Sequence, residues 1–145
     1  MKDKIIIAID AMGGENAPNK NIEGISIFIN KSMDKDFFFN IYGDEKLINT
    51  ELKKFNISEK YYKIFHSQSV VMDDDSPLKS IKNSKNSSMW NSINSQIDNN
   101  SEISLSAGNT GVLFVISKML LKTIDGVTKP GLAGLWPSKK GKILV

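Results

Sequence analysis

The chain has 145 residues, of which 40% are hydrophobic, and its 19 lysines against 16 acidic residues give a net charge of +3. This balance is typical of one ordinary globular domain with a core of its own. Because arginine and cysteine are both absent, the sequence excludes disulfides, thiolate metal sites, a cysteine nucleophile and bidentate arginine clamps.

The first part of the chain alternates between strand and helix patterns. "KIIIAID" is a compact β-branched run without alternation, which is typical of a strand in a parallel sheet covered on both faces. The loop "AMGGENAP" follows, and then a predicted helix from about Pro18 to Met33. The buried face of that helix is marked by four apolar residues at helical spacing: Ile22, Ile25, Phe28 and Ile29.

Two further strands enclose a second helix. "DFFFNIYG" predicts the second strand and "YYKIFHS" the third. Between them, "DEKLINTELKKF" opens with acids and closes with lysines, as the dipole of a short helix favours.

The remainder of the chain continues the same alternation. After a polar stretch, Ser87 or Ser88 is the expected cap of a third helix that turns Met89 or Trp90, Ile93 and Ile97 inward. "EISLS" alternates and predicts a fourth strand. The apolar run from Gly111 to about Ile124 predicts a central, buried helix with Lys118 and Lys122 on its one solvent-facing side. A loop-rich return then leads to another strand at "KILV".

This order predicts an α/β domain over residues 1–145, with a mainly parallel, Rossmann-like sheet and helices on both faces. Ligands in such folds bind beyond the carboxyl ends of the strands. "DAMGG" and "SAGNTG" both occupy such ends, so we expect them to share a site. An apolar "ILV" terminus would stop inside the sheet, and we therefore expect the amino-terminal part of a longer protein.

The two glycine-containing loops suit close contact with a ligand. Gly108 and Gly111 stand at the entrance of a helix whose free N–H groups favour an anion, and Asn109 and Thr110 add polar side chains there. Neither nucleotide-binding glycine pattern is present. Each loop, taken alone, fits a plain capped turn as well as a ligand cradle. The same two possibilities apply to the first loop and to its residues Asp10, Gly13 and Gly14.

Lysines and hydroxyls form a second candidate for anion binding. Lys82, Lys85, Ser87 and Ser88 lie close together before a helix, where they favour either an anion clamp or a solvated, serine-capped helix start. His66 follows a strand and is suited to general-base or structural roles. "DDDSP" fits a solvated charge run better than a metal site, since three consecutive acids cannot all face one ion. No metal, no cofactor and no nucleic-acid partner is expected.

The landmarks together resemble a known family along the entire chain. "DAMGGENAP", "YGDE", "VVMDDDSP", "SSM", "SAGNTGVL" and "KPGLAGLWP" occur in the order found in the PlsX family of bacterial phosphate acyltransferases. The sequence departs from the family pattern at Glu15, where aspartate is usual, at Lys82 and Lys129, where arginine is usual, and at Ser84, where lysine is frequent. A lysine weakens a bidentate anion contact to a point charge.

The resemblance implies a reaction and a set of site residues. Family members make acyl phosphate from acyl–acyl carrier protein and inorganic phosphate for phospholipid synthesis, on a fold like that of isocitrate/isopropylmalate dehydrogenases and phosphotransacetylases. Against that reaction, Asn109, Thr110 and Lys85 are the candidate catalytic residues, with His66 and Lys82 as further possibilities. The candidate substrate-binding residues are Asp10, Gly13, Gly14, Ser87, Ser88, Ser106, Gly108 and Gly111.

The resemblance also implies partners and a location. Family members act as cytoplasmic homodimers, associate peripherally with the inner face of the membrane, and pass acyl phosphate to a membrane glycerol-phosphate acyltransferase. They run to more than twice this length. Two alternatives stay open: a short-chain phosphotransacetylase that uses acyl coenzyme A, and an inactive fragment that only binds a partner or ligand.

Overall fold

The computed structural model describes residues 4–32, 36–77, 84–139 and 141–144. One sheet contains four parallel strands in the spatial order β3-β2-β1-β4. In chain order the strands are β1 (Ile5–Asp10), β2 (Phe37–Gly43), β3 (Tyr62–His66) and β4 (Ile103–Ser106). The helices are α1 (Asn19–Lys31), α2 (Glu45–Lys54), α3 (Ser88–Ile97) and α4 (Thr110–Leu121), and a short 3₁₀ turn, Glu59–Tyr61, precedes β3.

This architecture confirms the predicted α/β class with its mainly parallel sheet. The predicted positions of the first four strands and of the four helices are also confirmed, with ends shifted by a few residues. The specific likeness to the isocitrate dehydrogenase class stays a prediction. Within the described residues, no helix combines the length and the apolar character needed to cross a bilayer.

Three of the helices begin at a side chain that caps their free N–H groups. Asp44 accepts hydrogen bonds from the N–H groups of Lys46 (2.9 Å) and Leu47 (3.0 Å), and the bond from Leu47 contributes most to lowering the pKa of Asp44. Ser87 caps α3 through the Trp90 N–H at 3.1 Å. Asn109 caps α4 in the same way. The starts of these helices are therefore fixed by local sequence.

The main core lies between the sheet and the pair α1 and α2. Phe37, Phe39 and Ile41 alternate along β2, so they share one face of the sheet, where they pack against buried residues of the two helices. Those helix residues are Ile22, Ile25, Ile48 and Leu52. The expected inward face of α1 is only partly correct, because Phe28 is 45% exposed at the open rim of the sheet.

The opposite face of the sheet carries α3 and contributes polar side chains to the contact. The Ser104 hydroxyl donates to the Ser92 carbonyl at 2.7 Å, and the Asn40 amide donates to the Asn100 carbonyl at 2.9 Å. Ser88, Ser92 and Ser95 of α3 are all buried. On this face these hydrogen bonds add to the packing of the helix on the strands.

The structure corrects the prediction that the apolar run of α4 is central. Val112 and Ile116 are its buried residues and pack against Met89 and Ile93 of α3 in a second, smaller cluster. Met119 and Leu121 are 41% and 43% exposed. The helix packs on α3 at the outside of the domain, so one of its faces remains open to solvent, and Ile97 at the end of α3 is likewise exposed.

The final segment also differs from expectation. "KILV" does not add to the parallel sheet; β6 (Gly141–Leu144) pairs antiparallel with β5 (Leu135–Ser138) in a separate two-stranded sheet. A hairpin between neighbouring segments costs less loop-closure entropy than a long-range pairing. Edge strand β4 therefore keeps Ile103 and Leu105 exposed, at 43% and 51%.

Replacing Ile41 by Ala tests the main core. Ile41 is fully buried in the centre of the sheet, so we expect a loss of about 2–5 kcal/mol in the free energy of unfolding. The matched control is Ile124→Ala, at a side chain that is 78% exposed, for which we expect a change within about 0.5 kcal/mol. Urea unfolding measures both, and equal losses in the two variants would contradict this core.

Candidate functional site

The two glycine-containing loops meet where β1 and β4 end side by side. Asp10 and Ser106 are register partners at the last pair of these strands. The Ser106 hydroxyl donates to Oδ2 of Asp10 at 2.7 Å and accepts the Gly108 N–H at 3.1 Å. Oδ1 of Asp10 accepts the Met12 N–H at 3.2 Å. We call this set of contacts the Asp10–Ser106 junction; it ties each loop to the end of the neighbouring strand.

Two glycines allow the loops to touch directly. A Cβ atom on Gly13 would lie 2.6 Å from Oδ2 of Asp10 and 2.8 Å from the Gly108 nitrogen. Gly14 has a φ of +86°, and a Cβ atom there would lie 2.7 Å from the Ala107 carbonyl oxygen. Any side chain at these positions would push the loops apart, so the expected meeting of "DAMGG" with "SAGNTG" depends on both glycines.

Asn21 was not among the residues expected to form the site, but it holds the first loop in place. Its side-chain amide donates to the carbonyls of Ala11 and Gly13, each at 2.9 Å. Asparagine has low helix propensity because its amide competes for backbone groups. An asparagine in the first turn of the predicted helix, next to Ile22 of its buried face and directly after a glycine loop, was the available signal.

The Asp10 carboxyl group is buried, with 2% of its surface exposed. Burial raises its pKa above 3.8, and the hydroxyl of Ser106 and the backbone N–H groups of Met12 and Gly13 oppose that shift. The Ser88 hydroxyl lies near enough to lower the pKa of Asp10, yet it forms no hydrogen bond of standard geometry. The junction thus contains a desolvated acid balanced by neutral donors.

The start of α3 places the predicted serines in different surroundings. Ser87 is the helix cap, while Ser88 is fully buried under the junction and its N–H donates to the Ser69 carbonyl at 3.1 Å. Ser84 is also buried, and within the described chain its hydroxyl has no hydrogen-bond partner. Lys85 is exposed in the turn between these serines. Lys82, the other lysine of this candidate clamp, lies outside the described residues.

Asn109 is engaged on both sides of its amide group. Oδ1 accepts the Val112 N–H at 3.1 Å, and Nδ2 donates to the carbonyls of Asp73 and Asp75 at 2.9 and 3.0 Å. The amide therefore caps α4 and fastens the loop 72–75 to it. The "DDDSP" segment, expected to be a solvated charge run, supplies these carbonyls, and the Asp75 side chain closes its own turn by accepting the Met72 N–H at 2.8 Å.

The start of α4 offers the exposed polar groups nearest to this cap. Thr110 is exposed at the first helical position, where the helix dipole and free N–H groups favour a negative charge. Gly111 packs closely, because a Cβ atom there would lie 2.9 Å from Cγ of Pro77. The first turn of α4 is thus pressed against the loop that Asn109 fastens.

His66 is the predicted residue that the fold keeps apart from the junction. It ends β3, which is separated from β1 by β2, so it stands about 10 Å from Asp10 at ordinary strand spacing. Its Nδ1 lies 3.5 Å from the Glu45 N–H, a long contact at the start of α2. The geometry of the described residues joins His66 to α2 rather than to the two glycine loops.

Comparison with known proteins identifies the family. A family model described as "Fatty acid synthesis protein" matches residues 5–145. A phosphate acyltransferase of Pelagibacter ubique is 42% identical over 145 residues, which are 100% of this chain and 42% of that protein. Phosphate acyltransferases of Rhodopseudomonas palustris (strain TIE-1) and Methylocella silvestris are each 34% identical over 146 residues, again covering all of this chain and 41% and 39% of those proteins.

The chain belongs to this fatty acid synthesis protein family, which confirms the resemblance to PlsX. It spans about two fifths of the length of the curated relatives it matches. The match covers both glycine loops and the whole sheet that brings them together.

The pH dependence of stability tests the buried acid. Because the pKa of Asp10 is raised in the folded state, its contribution to stability is fully present below pH 3.8 and is lost as pH rises through the folded pKa. In Asp10→Asn that titration is absent. We therefore expect the free energy of unfolding of the original protein, relative to the variant, to fall with rising pH above 3.8 and then level off. A pH-independent difference would contradict the burial of an ionisable group here.

Replacing Gly13 by Ala tests the contact between the loops. The new Cβ atom would overlap three polar atoms, and such overpacking costs about 1–3 kcal/mol in the free energy of unfolding. Gly131→Ala is the matched control, because a Cβ atom there meets nothing within 4 Å. If both variants unfold at the same urea concentration as the original chain, the loops do not touch as described.

Proposed function

We propose that this chain provides the amino-terminal part of an acyltransferase that uses phosphate as its acyl acceptor. The observation that carries the proposal is the closure of two glycine loops on the Asp10–Ser106 junction at the carboxyl edge of the parallel sheet. The relatives whose match to this chain covers both loops are named phosphate acyltransferases. Sheets of this kind bind ligands at that edge.

The proposed reaction needs no nucleophilic side chain. An oxygen of inorganic phosphate attacks the carbonyl carbon of an acyl thioester, and the carbonyl π electrons move to its oxygen. When the carbonyl re-forms, the carbon–sulfur bond breaks and the thiolate leaves, taking up a proton from the medium. The protein's task is to hold two reactants together and to stabilise the oxyanion. A site of backbone N–H groups, hydroxyls and lysines suits both tasks.

The roles of the residues follow from their positions. Thr110, with the first N–H groups of α4, is proposed to meet the phosphate or the oxyanion, because it is the exposed hydroxyl at a helix start. Lys85 is proposed to neutralise phosphate charge. Asn109 is proposed as a positioning residue, since its amide already has backbone partners. Asp10, Ser88, Ser106 and the junction glycines are proposed to shape the pocket rather than to react.

The acyl donor is proposed to be acyl–acyl carrier protein, as in the PlsX family, with phospholipid synthesis as the purpose. The family also motivates a homodimer, peripheral association with the cytoplasmic face of the membrane, and transfer of the product to a membrane glycerol-phosphate acyltransferase. The alternative donor is acyl coenzyme A with a short chain. The remaining alternative is a protein that only binds a partner or ligand, and measurable turnover would exclude it.

Acyl phosphate formation is the direct test. The intact gene product is incubated with phosphate and either palmitoyl–acyl carrier protein or acetyl coenzyme A, and acyl phosphate is trapped with hydroxylamine. We expect the hydroxamate only with phosphate present and chiefly from the carrier-protein donor. Product from acetyl coenzyme A alone would overturn the proposal in favour of a phosphotransacetylase. Product from neither donor would favour a binding role.

Two replacements of Asn109 separate its cap from its hold on the loop 72–75. Asn109→Ser keeps a capping oxygen, whereas Asn109→Ala removes it at a cost of about 0.5–2 kcal/mol in the free energy of unfolding. Both lose the bonds to the carbonyls of Asp73 and Asp75. We expect turnover to fall in both variants, because the first turn of α4 loses its support, while stability falls mainly in the alanine variant. Full turnover in Asn109→Ser would remove this loop from the mechanism.

A further inference from the structure

An open cleft of about 370 Å³ runs between α1 and the strands β1 and β4. Its floor is formed by Ile9, Ile25 and Phe39, which are only 3–7% exposed although the cleft is open. Its rims carry Phe28 and Leu105, which are 45% and 51% exposed. Shielded floor residues between exposed rims describe a trough rather than a flat apolar surface.

The trough changes character along its length. Lys20, Asn21, Asp10 and Ser106 line it where α1 begins and β1 and β4 end, next to the two glycine loops. Two helical turns after Lys20, Phe28 and the apolar side chains of the strands line the trough. Phe28 lies eight positions after Lys20, which corresponds to a rise of about 12 Å along the helix axis. One end of the trough is therefore the polar candidate site, and the rest is apolar.

Gly24 keeps the middle of the trough open. It lies one turn after Lys20 and one turn before Phe28 on the same face of α1, and it lines the cleft. A Cβ atom built on Gly24 would meet nothing within 4 Å. Glycine within a helix lowers stability relative to alanine, and no close neighbour among the described residues requires it here. The absence of a side chain at Gly24 leaves the space of the trough beside α1 open.

We propose that this trough binds the hydrocarbon chain of the acyl donor, with the thioester at the polar end beside the glycine loops. The inference rests on the proposed function and specifies where its apolar substrate lies. An unbranched chain with a polar thioester at its end matches a trough that is apolar along its length and polar at the end beside the glycine loops.

Filling the trough at Gly24 tests the proposal without disturbing the fold. Gly24→Leu places a side chain in the open space, and Gly24→Ala is the matched control; both are better helix formers than glycine. The probe is cis-parinaric acid, an 18-carbon fluorescent fatty acid, titrated into the intact gene product. We expect the alanine variant to bind like the original protein and the leucine variant to bind at least about tenfold more weakly, because the chain's path is blocked.

Equal affinity of the leucine and alanine variants for the probe, or no binding by the original protein, would overturn the proposal. A change in oligomeric mass for Gly24→Leu in sedimentation, with unchanged probe affinity, would also overturn it and assign the trough to a contact between copies. The titration measures binding of the fatty acid and does not depend on turnover. Loss of probe binding in Gly24→Leu therefore supports the trough even if the original protein makes no acyl phosphate, a result that would count against the proposed function alone.

Discussion

The hydrogen bond from Ser106 to the buried Asp10 carboxylate is the contact on which the arrangement of the site depends. It spans 96 positions of the sequence and joins the carboxyl ends of two neighbouring parallel strands. Gly13 and Gly14 then lie against residues 106–108 with no room for a side chain. Because the loops lead into α1 and towards α4, the same contact holds the beginnings of these two helices near each other. The polar end of the trough and the first turn of α4 are therefore positioned together.

In the Asp10–Ser106 junction, one buried carboxyl group is surrounded by neutral hydrogen-bond donors and, among the described residues, not by cationic side chains. Asp10 is desolvated, which raises its pKa, and it is balanced by hydroxyl and backbone donors. The side-chain amides of Asn21 and Asn109 hold the two loops through carbonyl groups. Neutral donors fixed in place before the substrate arrives can stabilise a developing oxyanion without reorganising. In a chain with no arginine, such donors and the lysines are the groups available for anion recognition.

The sequence was sufficient to predict the order of strands and helices and the meeting of the two glycine loops, because both follow from local pattern and parallel topology. It was not sufficient for features that depend on three-dimensional neighbours. The apolar run of α4 gives no sign that Met119 and Leu121 are exposed within the described part of the chain, and "KILV" does not reveal its pairing with residues 135–138. The sequence also does not reveal that carbonyls lying 34–36 positions earlier in the chain accept hydrogen bonds from the Asn109 amide. Gly24 stood unnoticed inside a helix, since only the packed structure shows the space beside it.

A double-mutant cycle between Asp10 and Ser106 tests the central claim most directly. The free energy of unfolding is measured for the original protein, Asp10→Asn, Ser106→Ala and the double variant at pH 7. If the two side chains form the contact that joins the loops, the single losses will fail to add, with an interaction energy of about 0.5–3 kcal/mol. Additivity within about 0.3–0.5 kcal/mol would contradict the account, because the loops would then be held by something other than this junction.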